Sequence, residues 1–472
     1  MADLDLCYLT ASEAIARFKA HDLSPVELTQ AVIARAEEVE PKINAFTFRH
    51  YEEALEKAKA AEARYMKTDG RLRPLEGLPV AVKDESFIKG QVTSNGSLML
   101  KDEVATFTSP GAERLLRAGA IVHARTATPE FSCSGVTQSR LWGVTRNPWN
   151  LDYTPGGSSG GSGASLAAGT STLATGSDIG GSIRIPASAS GVAGLKPTYG
   201  RNPDDHPFNL DAYCHTGPMA RSVDDLVLMQ NVLCGPHPKD IVSIRPKLRI
   251  PKELKGIDGW KIAYSPDLGY AEIDPEVRAN TEAALDAFRA AGATVEEIEL
   301  GWTWSALSAA HNYLAHLFGT YIGGYLGRHA LEMTPYARAF GEAGRKTTAQ
   351  DFLEAHEVAG EMYAELGPIL QRYDVLLCPT LAVPSVAADH DQSRDRIEIN
   401  GVEVDPVLGW TLTYPFNMLS RCPVISVPSG FAKNGVPTGL QIVGRTYDDI
   451  GVCRAAKAFE RERPWAIPRP KL

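Results

Sequence analysis

From residue 78 onward the apolar positions of this chain alternate between two rhythms. Short apolar runs predict strands at Pro79–Val82, Ala120–Ala124, Leu173–Gly176, Trp260–Tyr264, Thr294–Leu300, Val375–Pro379, Val424–Pro428 and Gly439–Val443. Helical spacing predicts Ala112–Ala118, Val223–Leu233, Pro275–Ala291, Ala349–Tyr373 and Ile450–Glu462 between several of them. Continuous apolar strands separated by helices imply an α/β architecture, a mixed sheet covered on both faces. Upstream, residues 10–40 read as two helices. Thr10-Ala-Ser-Glu13 and Ser24-Pro-Val-Glu27 both match a capping box, the second with proline at the first helical position. Leu28, Val32 and Ala36 recur at helical spacing, and Pro41 is expected to end the pair. Residues 51–66 predict a solvated helix with opposite charges at i,i+4. The proline- and charge-rich span 235–258 reads as a surface connection.

Composition narrows the class. With 472 residues, 44% hydrophobic and 22% charged, the chain can bury a large core, as soluble enzymes do. A net charge of −9 with no basic cluster argues against nucleic acid as the main ligand. The seven cysteines are scattered, odd in number and without C-x-x-C spacing, which predicts reduced thiols rather than a disulfide framework or a zinc site. The acidic start, Met-Ala-Asp-Leu-Asp-Leu-Cys, lacks the pattern of a signal peptide. No run of about 18 apolar residues occurs, so no membrane span is expected and the cytoplasm is the default compartment.

The chemistry concentrates in residues 152–197. Two clusters, Gly156-Gly157-Ser158-Ser159-Gly160-Gly161 and Ser177-Asp178-Ile179-Gly180-Gly181-Ser182, flank Ala164–Ala174, which reads as a helix or buried turn. Glycines permit close backbone approach, and successive free N–H groups form anion-binding concavities. Serines set among them supply a nucleophile beside an oxyanion hole, the parts of an acyl-transfer site. A flexible linker is a poor account, because Ile179, Ile183, Arg184, Ile185 and Leu195 interrupt the glycines with residues that pack. Neither cluster fits a nucleotide-phosphate loop. Gly156-Gly157-Ser158-Ser159-Gly160 also satisfies the Gly-x-Ser-x-Gly of a nucleophile elbow, a short pattern that decides little alone. Upstream, Leu78-Pro79-Val80-Ala81-Val82-Lys83-Asp84 is an apolar run ending in a charge, as a buried strand would be when it delivers a lysine into the interior.

Lys83, the Gly-Gly-Ser-Ser-Gly-Gly cluster and the Asp-Ile-Gly-Gly-Ser-Ile-Arg cluster together resemble the amidase signature family. Pro186-Ala187-Ser188, residues 191–198, Gly217-Pro218-Met219, Pro415-Phe416-Asn417 and residues 423–428 continue the resemblance over nearly the whole chain. It implies one large domain with a twisted mixed sheet at 71–472, preceded by a helical extension at 1–70 that packs on it. It also implies Ser182 as nucleophile, Ser158 as relay across a cis Gly157–Ser158 peptide, and Lys83 as base. The N–H groups of Ile179, Gly180, Gly181 and Ser182 would form the oxyanion hole, with Ser159, Ser177, Asp178 and Arg184 supporting the loop. Burial disfavours a lysine's charge, so a neutral Lys83 is chemically accessible as a base. The implied substrate is a small, fairly apolar amide, with esters and carbamates within reach. No cofactor, metal, nucleic acid or membrane is called for, and a homo-oligomer stays open.

The aromatic and imidazole groups of 301–350 (Trp302, Trp304, His311, Tyr313, His316, Phe318, Tyr321, Tyr325) read either as a buried helix or as a variable wall of the pocket. Phe131, Cys133, Tyr153 and Tyr213 are further candidate walls. Among other chemistries, a Ser-His-Asp site finds no informative histidine motif, and Ser86-Phe-Ile-Lys89 lacks the partner motifs of penicillin-interacting enzymes. A metal hydrolase lacks a His-Glu-x-x-His cluster. The main alternative is the glutamine-hydrolysing component of a tRNA-dependent amidotransferase, which bears the same signature. It typically has glutamine after the motif arginine, where this chain has Ile185.

Overall fold

The computed structural model of the protein describes residues 3–67, 71–465 and 469–472. Among these residues eleven strands join in one mixed sheet. In chain order they are β1 Phe46–Arg49, β2 Pro79–Lys83, β3 Ile121–Thr126, β4 Leu173–Asp178, β5 Ala193–Lys196, β6 His215–Ala220, β7 Lys261–Tyr264, β8 Thr294–Glu297, β9 Val375–Pro379, β10 Val424–Phe431 and β11 Pro437–Gly444. Their order across the sheet is β1-β3-β2-β4-β6-β5-β10-β11-β9-β7-β8. β2 runs parallel to both β3 and β4, and β7 runs parallel to both β8 and β9. The middle of the sheet is antiparallel.

Side chains alternate across a strand, so each strand feeds two cores. Val80, Val82, Leu195, Ile425, Val427, Leu440 and Ile442 enter one apolar cluster with the helices Val223–Leu233, Pro275–Ala290 and Asp449–Glu462. Ala81, Ala174, Leu376, Cys378 and Val443 face the other side, under Gly160–Ala167, Arg184–Ser190 and Ala349–Arg372. The expected two-faced α/β sheet is therefore present, and the same alternation has a consequence for the site. Lys83 shares the face of Ala81, so β2 aims it beneath the helix that follows Ser158.

Both capping boxes form. Thr10 and Glu13 exchange hydrogen bonds at the start of Ala11–Ala20, and Ser24 and Glu27 do so at Pro25–Ile43. Pro41 does not end the second helix, which runs to Ile43. A proline in the last turn forfeits a single backbone hydrogen bond, and Asn44 in the left-handed conformation closes the helix after it. The segment before residue 67 is not wholly helical, because Phe46–Arg49 pairs antiparallel with β3 as the sheet's edge. The boundary expected near residue 70 falls at residues 68–70, outside the described residues. The Ala/Leu-rich segment between the glycine clusters divides into the helix Gly160–Ala167 and the start of β4.

β1, β5 and β6 are strands the hydrophobic pattern missed. β6 holds Gly217-Pro218, a dipeptide that reads locally as a turn. It sits mid-strand because a Cβ at Gly217 would come 2.2 Å from the Leu195 carbonyl oxygen of β5.

Candidate active site

The site lies at the carboxyl ends of the parallel strands β2 and β4, the usual place for a ligand in an open α/β sheet. β2 ends in Lys83, whose side chain is fully buried. Its backbone N–H donates to Thr175 Oγ1 on β4 at 2.9 Å, locking the two strand ends together. Its Nζ donates to Ser158 Oγ and to Ser177 Oγ, each at 2.7 Å, and lies 3.2 Å from Glu85 Oε2. Burial lowers the Lys83 pKa, against the opposing pull of the Glu85 carboxylate.

Ser158 precedes the helix Gly160–Ala167, and the Gly157–Ser158 peptide is cis. The helix is built from small residues because it is pressed against backbone: a Cβ at Gly161 would lie 2.4 Å from the Ala127 nitrogen. Its serines are structural. Ser162 bonds Thr126 Oγ1 and donates to the Thr175 carbonyl, both at 2.7 Å. Ser159 accepts the Ser177 N–H at 3.3 Å, setting the end of β4.

The second cluster forms the turn between β4 and the helix Arg184–Ser190. Among the described residues, no protein group accepts a hydrogen bond from the N–H groups of Ile179, Gly180, Gly181 or Ser182. Gly181 has φ 129°, and a Cβ there would lie 1.9 Å from Thr413 Oγ1. Only glycine fits. Ser182 is 8% exposed, and its hydroxyl makes no hydrogen bond among the described residues. The Ser159 N–H donates to the Ser182 carbonyl at 3.2 Å, joining the two clusters.

What holds the turn is a buried charge network. Asp178 accepts Arg184 Nε at 2.9 Å and Nη2 at 2.8 Å, and also the Ile183 N–H at 3.2 Å. Asn417 Nδ2 donates to the Asp178 carboxylate at 2.8 Å, and Arg184 Nη1 donates to the Thr413 carbonyl and Gln441 Oε1 at 2.8 Å. Burial opposes the Asp178 charge, but Arg184 and Asn417 outweigh it and hold the carboxyl well below the usual carboxylate range. Thr413 Oγ1 donates to the Gly180 carbonyl at 2.7 Å and so fixes that peptide. Arg184→Ala would leave the Asp178 charge buried without its ion-pair partner, a loss worth about 3–5 kcal/mol. A lowered urea midpoint is the expected reading, with activity lost alongside stability.

Two cavities meet at this turn. The larger, about 190 Å3, is lined by Ser158, Ser177 and Glu85 on its floor and by Phe131, Phe208 and Tyr321 on its walls. The smaller, about 60 Å3, contains Ser182 and Gly180 and is lined mostly by apolar groups such as Ile185, Leu314 and Leu408, with His311 and Ser134 among them. Ile179, Ser132 and Phe318 border both. Phe131 and Cys133 thus line the cavities, whereas Tyr213 stacks on Tyr313 at 3.5 Å in the core and Tyr153 lines neither. The aromatic segment divides likewise. Trp302 and Tyr313 are buried in the core, while Phe318, in a π-helical turn at Ala315–Gly319, and Tyr321 reach the larger cavity. Such turns concentrate at functional sites. Sequence reasoning missed Glu85, Thr413 and Gln441. Glu85 alone carried a local signal, standing two residues after Lys83.

Among the described residues no group of three or more His, Cys, Asp or Glu side chains is placed to hold a metal ion, and no helix is long and apolar enough to cross a membrane.

Comparison with known proteins gives the same direction. Residues 27–453 match the family described as Amidase. An acylamidase from Rhodococcus erythropolis is 34% identical over 100% of this chain and 98% of its own length. A bacterial aryl acylamidase described as belonging to the amidase signature enzymes superposes with a TM-score of 0.90, at 30% identity and 97% coverage of both chains. A glutamyl-tRNA(Gln) amidotransferase component from Geotalea daltonii is 33% identical over 99% of this chain and 100% of its own.

Proposed function

The chain belongs to the amidase signature family, and from that premise we propose that it works alone on small, fairly apolar amides through Lys83, Ser158 and Ser182. It is a hydrolase acting on amides. The observation that carries the mechanism is the fully buried lysine 2.7 Å from Ser158, whose chain neighbour Ser159 is hydrogen-bonded to Ser182 in a turn of unengaged backbone N–H groups.

A serine hydroxyl attacks an amide only with a base to take its proton. Ser182 Oγ attacks the carbonyl carbon as its proton passes to Ser158 Oγ and the Ser158 proton passes to Lys83 Nζ. The two hydroxyls close into contact around the substrate, as catalytic hydrogen bonds that are long in a free enzyme commonly do. The developing oxyanion is met by the N–H groups of the 179–182 turn, each such donor being worth about 10²–10³ in rate. The protons then return through Ser158 to the departing nitrogen, the C–N bond breaks, and an acyl-Ser182 ester remains. Water repeats the sequence and releases the acid. Because Ser158, which lines the larger aromatic-walled cavity, delivers the proton to the leaving nitrogen, the amine occupies that cavity and the acyl group the smaller, mostly apolar one. That division suits an arylamine joined to a compact acyl group, and the likeness to acylamidases supports it. Esters and carbamates of similar shape are within the same chemistry.

The net charge of −9 supports action without nucleic acid, and the seven free cysteines support a reducing, cytoplasmic setting. The full-length likeness to the amidotransferase component favours one second reading, glutamine hydrolysis within a tRNA-bound complex. Intact-mass spectrometry of the chain alone separates the two, using an anilide, a carbamate, glutamine and phenylmethylsulfonyl fluoride. The expected result is anilide or carbamate turnover with the sulfonyl adduct mapped to Ser182. Activity on glutamine only, with added partners, would install the second reading, and an adduct on Ser158 would reverse the roles of the serines.

A further inference from the structure

The proton relay through Ser158 gives Glu85 no task, yet its surroundings are built with care. Its Oε2 lies 3.2 Å from Lys83 Nζ and accepts the Ser132 hydroxyl at 2.7 Å. Ser132 Oγ is also within 2.8 Å of Thr128 Oγ1 and 3.0 Å of Asn95 Oδ1. Phe131 and Ser132 both occupy the left-handed backbone region, at φ 54° and 58°. Two consecutive non-glycine residues there are uncommon, and such strain persists where the surroundings over-determine it, often at functional sites. Here the turn holds one hydroxyl against one carboxylate beside the buried lysine.

We propose that Glu85 is a positioning residue for the reaction, a counter-ion fixed by Ser132 that steadies the ammonium formed when Lys83 takes the serine proton. The inference rests on Lys83 being the base. A lysine surrounded only by hydroxyls would gain its proton at high cost in a buried site, and a carboxylate at ion-pair distance lowers that cost. The same carboxylate holds the proton more tightly, so the enzyme loses its neutral base at a higher pH than it otherwise would. Other groups do not duplicate this. The Ser158 and Ser177 hydroxyls are neutral, and Asp178 on β4 is engaged by Arg184 and Asn417. The Cys214 thiol, beside β6, is kept protonated by burial, and burial pushes the carboxyl of Asp204, which lines the same cavity as Glu85, up to about 7. Burial would also push the Glu85 carboxyl up, but Lys83 and the Ser177 and Ser132 hydroxyls hold it below its ordinary value.

The test is the pH dependence of kcat and kcat/KM on a neutral anilide for the unaltered protein, Glu85→Gln and Glu85→Asp. Glutamine keeps the shape and a hydrogen bond to Ser132 but loses the charge. The expected result for Glu85→Gln is an acid limb moved to lower pH by about one unit or more. Its plateau kcat should fall while KM is kept. Glu85→Asp, which withdraws the charge by one methylene, should place the limb between the two and serves equally if the glutamine variant does not fold. An unmoved limb in the folded variants overturns the proposal, whether kcat is unchanged or reduced. So does a rise confined to KM for an amide bearing a cationic amine, which would make Glu85 a substrate-binding group. A flat acid profile in the unaltered protein would instead remove Lys83 as base, a result distinct from failure of the Glu85 inference alone.

Discussion

Replacing Ser182 by alanine is expected to abolish amide hydrolysis, with kcat/KM falling by about 10⁴-fold or more, while the fold stays intact. The two halves of that expectation have separate causes. Activity goes because Ser182 is the hydroxyl that sits among the N–H groups of the 179–182 turn, so no neighbouring group can form the acyl ester in the same place. Stability stays because the hydroxyl makes no hydrogen bond among the described residues and its loss strands no buried partner there. Steady-state assay with an anilide, together with a urea melt, reads both. Full activity in a folded Ser182→Ala variant would remove the proposed triad.

Lys83→Met carries the second-largest expected effect. Methionine fills most of the lysine's volume without a base, and the rate should fall by about 10²–10⁴-fold, the usual worth of general-base catalysis. Unlike Ser182→Ala, this variant should also be less stable. It removes the buried donor to Ser158 and Ser177 and the polar partner of Glu85. The pH dependence of the unaltered enzyme supplies an independent check. Only neutral Lys83 can accept a proton, so kcat/KM should fall as pH drops through the pKa of Lys83. Burial lowers that pKa, which places the acid limb below the roughly 10.4 of a free lysine. A variant that keeps near-full activity at neutral pH would show that another group takes the serine proton.

Much of this arrangement was legible before the fold was known, and particular residues show why. Lys83 stood out because the apolar run Leu78–Val82 ends in it, as a buried strand would, and because the two Gly/Ser clusters join it in the family resemblance; by itself a lysine is read as a surface residue. The two Gly/Ser clusters stood out because close backbone approach leaves glycine as the only residue that fits, as at Gly161 and Gly181. Capping boxes at Thr10 and Ser24 were equally visible, being contained within four residues. Pro41 misled because the local rule for proline takes no account of where in the helix the lost hydrogen bond falls. Gly217-Pro218 gave no strand signal, because what demands glycine there is Leu195 on β5, 22 positions away, whose carbonyl leaves no room for a side chain.

By itself the sequence determined the two-faced α/β sheet, the clustering of serines and backbone donors in 152–197, and the apolar run that ends at Lys83. These follow from hydrophobic period, glycine freedom and capping, all of which act within a few residues. Only the tertiary structure decided that Thr413, Asn417 and Gln441 clamp the 178–184 turn, that Glu85 faces Lys83 with Ser132 behind it, and that two cavities of different character meet at Ile179. Those contacts depend on a strand order that is not the chain order, so β2 and β4 meet across more than ninety positions and the turn meets its clamp across more than two hundred. No local pattern encodes a partner at that distance, because what selects it is the closure of the whole sheet.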